Sequence, residues 1–276
     1  MTNSVDEALE SSVTAKDGWR TVGRLDPRAL GKARQLALNL AQWPARVANS
    51  YVACATWQER MRLPWQVADD SLVTQPFDNG LSLNLQFPTL AMCFLEHGRP
   101  VPHTFDPEGR SPAEAEAWIL VELLHRGIDR AHFVTALPYN VPDLMMGDAE
   151  DYPLDGCTAE LAELTAWYHN AALSFAALAR ELGRPVAPAA LSPDNLTMTA
   201  RLQSGADDAH APEIALGFSP GGETGDEPYF WASRVKPGEG LHGARTVLGR
   251  SAIAASGAPQ ADVAAFLRNA INDIRR

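Results

Sequence analysis

Gly217-Phe218-Ser219-Pro220-Gly221-Gly222, followed by Glu227-Pro228-Tyr229-Phe230-Trp231, is the stretch that decides the fold of this chain. An apolar run leads into the first stretch, and its Pro and Gly residues are typical of a turn. The second stretch is rich in aromatic residues, which favour strands. Two strands joined by such a turn predict an antiparallel pair, and we therefore predict an α+β fold with antiparallel sheet and packed helices.

A second hairpin is predicted around Asn79-Gly80, because both central residues of a tight hairpin turn need positive φ. The stretch 81–87 alternates strictly between apolar and polar residues, so Leu81, Leu83, Leu85 and Phe87 should share the buried face of a half-buried strand. The stretch 71–77 is its expected partner. A further hairpin is expected around His97-Gly98.

Helices are predicted from capping residues and from apolar residues spaced three and four apart. Asp26 should cap a first helix that ends at Pro44, with a strand over 47–57. Ser111 and Glu114 form a capping box, and a short strand is expected over 131–137. The remaining two predicted helices are the longest one, capped by Thr158 and stopping at Gly183, and a terminal one around 263–274.

The predicted elements repeat in the order helix, strands, helix, first over 27–127 and again over 158–275. Residues 1–17 are polar and are expected to be a disordered tail. We interpret 18–276 as one α+β domain, and the repeated order favours two similar halves, 18–137 and 157–276.

Composition restricts the classes of partner. The net charge is -11, and an acidic protein repels phosphate backbones, so no nucleic-acid partner is expected. No apolar run is long enough to span a membrane, and the first residues lack the apolar segment of a secretory signal. Cys54, Cys93 and Cys157 include no close pair, which favours free thiols and a cytoplasmic location.

Three stretches resemble a bacterial domain-of-unknown-function family (family 5996): residues 30–38, the strand region 81–105, and Arg201-Leu202 with the two stretches quoted first. The resemblance spans most of 19–237 and implies no activity, because none is established for that family. Its members typically carry tryptophan-rich patches at positions matching 43–47 and 192–195, and an aromatic residue at Ser219. This chain departs from the family at those positions, so an altered site is expected.

The leading functional hypothesis is a small organic ligand bound in a cleft between the halves. Glu227, Tyr229 and Trp231 alternate and should point to one strand face, where an aromatic pair beside a carboxylate suits such a ligand. His169 and Arg201 complete the predicted ligand-binding set. Ordinary core packing is the alternative for the aromatic pair.

An anion site is the second hypothesis. Lys236, Arg245 and Arg250 place three cations around the Gly-rich stretch 238–243, whose backbone amides can help to hold an anion. That stretch fits G-x-G-x-x-G, but a dinucleotide site also needs a helix and a parallel βαβ unit. A solvated loop is the alternative, and no cofactor is predicted.

Two other functions stay open at the level of sequence. An enzyme of unrecognised type would use His169 as acid or base, or the acidic loop 143–155. The loop lacks the spacing of a calcium site, and no metal site is predicted. An oligomeric interaction module without a small-molecule site is the other alternative. The catalytic residues are left unassigned, because the common nucleotide-binding, hydrolase and metalloprotease motifs do not occur.

Overall fold

The computed structural model of this chain describes residues 18–202, 213–222, 227–235 and 246–275. Within them, the helices are α1 (Ala29–Tyr51), α2 (Trp57–Arg60), α3 (Pro112–His125), α4 (Thr158–Glu181), α5 (Arg250–Ala254) and α6 (Pro259–Arg275), with a 3₁₀ turn at Arg130–His132. The strands are β1 (Leu63–Gln66), β2 (Ser71–Val73), β3 (Leu81–Gln86), β4 (Met92–Glu96), β5 (Arg99–Pro100), β6 (Ala190–Leu191), β7 (Met198–Leu202), β8 (Glu213–Ser219), β9 (Tyr229–Val235) and β10 (Thr246–Gly249).

The described strands form one ten-stranded sheet in the order β10-β9-β8-β7-β6-β1-β2-β3-β4-β5. Each neighbouring pair is antiparallel, so the predicted α+β fold with antiparallel sheet and packed helices is confirmed. A short seam, Leu63 opposite Leu191 and Pro64 opposite Ala190, joins β1 to β6. On each side of this seam the chain runs as helix, five strands, helix; duplication and the domain boundaries stay predictions.

The stretch that decided the fold places a glycine under a tryptophan. Gly217 on β8 lies opposite Trp231 on β9, and a Cβ on Gly217 would come within 1.9 Å of the indole. Only glycine leaves this space free. Gly221 and Gly222 then turn the chain with φ values of 94° and 108°, which L side chains rarely adopt.

The hairpin at Asn79-Gly80 is confirmed, with φ values of 45° and 78° at its two central residues. Leu72 and Leu85 are paired across β2 and β3, and the leucines of β3 are buried. The expectation of a half-buried strand is wrong, because Ser82 and Asn84 are buried as well. Asn84 tolerates burial in part because its Nδ2 donates a hydrogen bond to Ser71 Oγ over 2.8 Å.

The predicted end of the first helix at Pro44, and the strand over 47–57, are wrong. The helix continues through Pro44 to Tyr51, although proline removes one backbone donor. Val47 and Ala48, beyond the proline, are fully buried in the core. Burial of this last turn therefore offsets the local preference of the sequence.

Three smaller predictions also need correction. Thr158 does not cap α4: the N-cap position is Cys157, and no side chain bonds there. The segment 131–137 is not a strand; after the 3₁₀ turn it is irregular. Asp26 does not cap α1: it accepts the N–H of Arg28, which holds the N-cap position, and no side chain bonds there as a cap. The capping box at Ser111 is confirmed.

The core is built on α4. Its apolar residues spaced three and four apart, which run from Leu161 to Leu178, form a buried stripe that packs against aromatic residues of the sheet. Phe175 meets Phe230 edge-on at 6.3 Å between ring centroids, and Trp167 stacks on Phe218 at 6.0 Å. The stripe therefore anchors the helix to the second half of the sheet.

We expect Phe175→Ala to lower the free energy of unfolding by about 3–5 kcal/mol, as for other buried phenylalanines that leave a cavity. Phe175 is only 1% exposed. Arg180→Ala, at an exposed position of the same helix, is the control and should change stability little. Chemical denaturation measures both, and a loss below half of the expected value for Phe175→Ala would contradict its core role.

Candidate functional site

A polar stripe runs along one face of α1. Its members are spaced four, three, four and four residues apart, which places them on one side of a helix. They are Gln35, Asn39, Gln42, Arg46 and Ser50. The stripe faces the irregular segment 133–146, which we call the connecting loop.

Side chains of the stripe bind the connecting loop directly. Asn39 Oδ1 accepts the N–H of Met145 at 2.7 Å, and Ser50 Oγ accepts the N–H of Val134 at 2.8 Å. Gln42 Oε1 accepts the hydroxyl of Tyr139 at 2.8 Å. An irregular segment has no regular partners for its backbone groups, so these bonds hold it in place against the helix.

Arg46 is the charged member of the stripe and is only 4% exposed. Its Nε donates to the carbonyl of Thr135 at 3.0 Å, and its guanidinium carbon lies 4.4 Å from the ring centroid of Trp43. Within the described residues it has no acidic partner within 4.0 Å. Burial lowers the pKa of Arg46 from its ordinary value, although the group stays protonated near neutral pH.

Arg126 is a second arginine of this protein that lies over an aromatic ring, and it serves as a comparison for Arg46. The guanidinium carbon of Arg126 lies 5.3 Å from the ring centroid of Phe94. Its guanidinium is paired with Glu122 at 2.8 Å and with Glu96 at 3.0 Å. Buried charges are normally paired in this way, so the lack of an acidic partner for Arg46 singles it out.

Arg46 lies where two cavities meet. The larger has a volume of about 460 Å³ and the smaller about 150 Å³, and both are lined by Arg46, Thr135 and Met146. The remaining lining of the larger cavity is Ala136, Leu137, Tyr139, Asn140, Val141 and Leu144. Mostly apolar walls with a few polar groups are typical of small-molecule sites. We call the larger cavity the Arg46 cleft.

Two tyrosines flank the guanidinium with neutral hydroxyl groups. Burial raises the pKa of Tyr139 and also that of Tyr152. Tyr152 accepts a hydrogen bond from Trp43 Nε1 at 2.9 Å, which fixes the indole under Arg46. Neither hydroxyl neutralises the cation, and Glu116, which lines the smaller cavity and acts on Arg46 electrostatically, forms no ion pair with it within 4.0 Å.

A second cluster joins Asp70, His169 and Arg20. His169 is fully buried, and its Nδ1 lies 2.7 Å from Asp70 Oδ1. The other carboxylate oxygen pairs with Arg20 at 2.6 Å. Because a carboxylate only accepts, Nδ1 donates, and the buried Nε2 has no hydrogen-bond partner among the described residues. The sequence had offered no partner for His169, and Asp70 is that partner.

The predicted ligand-binding residues lie in different parts of the molecule. Tyr229, Trp231 and Arg201 share the sheet face opposite the main core, where Trp231 is fully buried and Arg201 pairs with Glu213 at 3.5 Å. His169 lies on α4, which packs on the other face.

Glu227 Oε2 accepts the N–H of Ser251 at 3.1 Å in the first turn of α5. None of the five predicted residues lines the Arg46 cleft. Their role in ligand binding stays a prediction.

The predicted anion site falls largely outside the described residues, since Lys236, Arg245 and the stretch 238–243 lie there. Arg250 is described, and it donates to the backbone carbonyls of Gly23 and Leu25. In the acidic loop, the carbonyl of Asp143 accepts from Asn39 at 3.3 Å. The part of the chain that the structure describes contains no group of three or more His, Cys, Asp or Glu side chains placed to hold a metal.

Comparison with known proteins adds no identity: no family model, no curated protein and no solved structure matches this chain. The resemblance to the domain-of-unknown-function family stays a prediction. Among the described helices, none combines the length and apolar character needed to cross a membrane.

We expect Arg46→Met to change the free energy of unfolding by no more than about 1 kcal/mol, because the lost cation–π contact is offset by removal of a buried, unpaired charge. Arg126→Met is the matched control and should cost about 3–5 kcal/mol, since it leaves the buried Glu122 with only the exposed His103, 3.4 Å away. Chemical denaturation near neutral pH measures both. Equal losses of unfolding free energy in the two variants would show that Arg46 stabilises the fold as Arg126 does.

Asp70 should make stability depend on acid pH. Burial raises its pKa, but the hydrogen bond from His169 and the pairing with Arg20 outweigh burial and lower the pKa below the ordinary value. A lowered pKa stabilises the fold above the unfolded-state value, about 3.9, and this contribution is lost as the pH falls through the folded-state value.

Asp70→Asn should therefore be less stable than the wild type by about 1–3 kcal/mol at neutral pH, and the difference should shrink below about pH 4. Urea denaturation across pH measures it, with Asp148→Asn at an exposed position as the control. A difference that grows on acidification would contradict the assignment.

Proposed function

We propose that this protein binds a small organic anion in the Arg46 cleft, with its acidic group on the Arg46 guanidinium. The observation that carries the proposal is a nearly buried arginine that has no acidic partner within the described residues and borders a cavity of about 460 Å³. A buried cation is costly unless it is paired. A bound anion supplies the missing partner.

A carboxylate suits this geometry better than a spherical ion. With Nε bonded to Thr135, the terminal nitrogens of Arg46 present a planar pair of donors, and guanidinium binds carboxylate through two parallel bonds. The walls beyond the guanidinium are Leu137, Val141 and Leu144, so an apolar body accompanies the acidic group. Asn140 and Tyr139 offer polar groups at the same wall.

The cleft is largely formed before any ligand arrives. The connecting loop is already bonded to α1, and the Tyr139 hydroxyl is oriented by Gln42. A binding function is therefore favoured over the interaction-module alternative. Three free thiols support a cytoplasmic location, and the acidic net charge supports the absence of a nucleic-acid partner.

An enzyme remains the second candidate, and the Asp70–His169 pair is the observation that favours it. The hydrogen bond from Nδ1 leaves the neutral ring with an acceptor at Nε2, the arrangement that a general base uses. His169 is fully buried, however, and does not line the Arg46 cleft. Binding without chemistry is therefore the function that we propose.

Calorimetric titration with a panel of aliphatic and aromatic monocarboxylates tests the proposal, with inorganic phosphate as a separate arm. We expect at least one carboxylate to bind, and Arg46→Met to weaken it roughly 10–100-fold, the effect of losing a charged hydrogen-bonded pair. Arg46→Lys should recover only part of the affinity, because an ammonium group cannot form two parallel bonds.

Arg62→Met is the control for a general loss of positive charge. Arg62 donates to the carbonyl of Thr199 at 3.3 Å and does not line the cleft, so its replacement should leave affinity unchanged. Binding that survives in Arg46→Met would contradict the site. Phosphate binding as tight as that of every carboxylate would contradict the organic ligand.

A further inference from the structure

Residues 19–25 cross the surface as a segment outside the helices and strands, and we call them the strap. The strap contacts parts of the chain far away in sequence: α4, the turn before β2, and α5. We call the residues that hold it the seat; they are Asp70, Glu163, Asn170, Arg250 and Ala254.

Three seat side chains bind the main chain of the strap. Asn170 accepts the N–H of Arg20 and donates to its carbonyl, both at 2.8 Å. Glu163 accepts the N–H groups of Gly23 and Leu25 at 3.0 and 2.9 Å. The carbonyls of the same two residues accept from Arg250. Side chains thus pair with the backbone groups as a neighbouring strand does in peptide recognition.

The seat also selects side chains at two positions. Arg20 pairs with Asp70, whose other oxygen is held by His169. Gly23 has a φ of 84°, and a Cβ there would come within 2.7 Å of the Ala254 Cβ, so glycine is required. Trp19, just before Arg20, and Val22, just before Gly23, pack against the core.

We propose that the seat is a sequence-selective site for an extended peptide, occupied in this structure by the strap. Its ligand carries arginine and glycine at the spacing of Arg20 and Gly23, with apolar residues at the positions of Trp19 and Val22. A partner protein with such a segment binds in competition with the strap. Backbone bonds supply general affinity, and Asp70 and Ala254 supply selectivity.

Because the strap and an added peptide compete for the seat, the experiment must first weaken the strap. A tethered strap acts at an effective concentration of the order of millimolar, which masks the seat in the wild-type chain. In the full chain, Gly23→Val weakens the strap by backbone strain and by the clash with Ala254, and it changes no seat residue. The probe is a fluorescein-labelled synthetic peptide with the sequence of residues 18–27, followed by fluorescence anisotropy.

We expect the peptide to bind the Gly23→Val chain at least about tenfold more tightly than the wild type. The same peptide with Gly23→Val, or with Arg20→Ala, should bind that chain at least about tenfold more weakly. Asp70→Asn, added to the Gly23→Val chain, should remove the preference for arginine, because the carboxylate partner is gone.

Circular dichroism checks that each chain is folded. If Gly23→Val proves too unstable to titrate, the full chain with Arg20→Ala replaces it, and the readout is the rise in its melting temperature with the peptide. Equal effects of the wild-type and Gly23→Val peptides, or no binding to either weakened chain, would overturn the proposal.

Discussion

The structure depends on Tyr168, because this one side chain contacts strands from both halves of the sheet. Its ring stacks on Trp65 of β1 at 5.4 Å between centroids and meets Phe218 of β8 edge-on at 5.1 Å. Its hydroxyl donates to the carbonyl of Leu196 at 2.8 Å, so the buried polar atom is satisfied. The seam between β1 and β6 pairs only two residues on each side, and the aromatic contacts stabilise the sheet across this short pairing.

The position of Tyr168 also determines what the rest of α4 can do. His169 and Asn170 follow it directly, and Glu163 lies on an earlier turn of the same helix. Once the aromatic ring is fixed in the core, the rotation of α4 about its axis is fixed as well, and this sets the direction in which the neighbouring side chains leave the helix. The hydrogen bonds to Asp70 and to the main chain of Arg20 therefore depend on core packing. A substitution at Tyr168 that shifts α4 should therefore also weaken the bonds that Asn170 and Glu163 make to the strap.

Local patterns in the sequence were sufficient for much of the fold. The turn at Asn79-Gly80, the alternation in 81–87 and the stripe on α4 depend on short-range geometry, and each predicted its element correctly. The interpretation of Pro44 as a helix end was wrong, because burial of the following turn is a long-range effect.

That error also concealed the Arg46 cleft. It placed Arg46 between the predicted helix and the predicted strand, although its spacing from Gln42 continues the stripe that begins at Gln35. A polar stripe running through a proline was the available signal. The partner of the stripe had no such signal, because the connecting loop that it binds is irregular and its backbone groups leave no period in the sequence.

Arg126, whose side chain is only 16% exposed, shows that the fold can pair a largely buried cation when stability alone is at stake. Arg126 has Glu122 one helical turn away and Glu96 on a neighbouring strand, and this arrangement needs no ligand. Arg46 has a carbonyl and a tryptophan face, and its nearest acidic influence is Glu116, which lines the smaller cavity without coming within 4.0 Å of the guanidinium. An acidic residue lining the Arg46 cleft would stabilise the unliganded protein and compete with any anion for the same nitrogens. Its absence from that wall keeps the guanidinium available at a cost in stability, which is the compromise expected of a preorganised binding site.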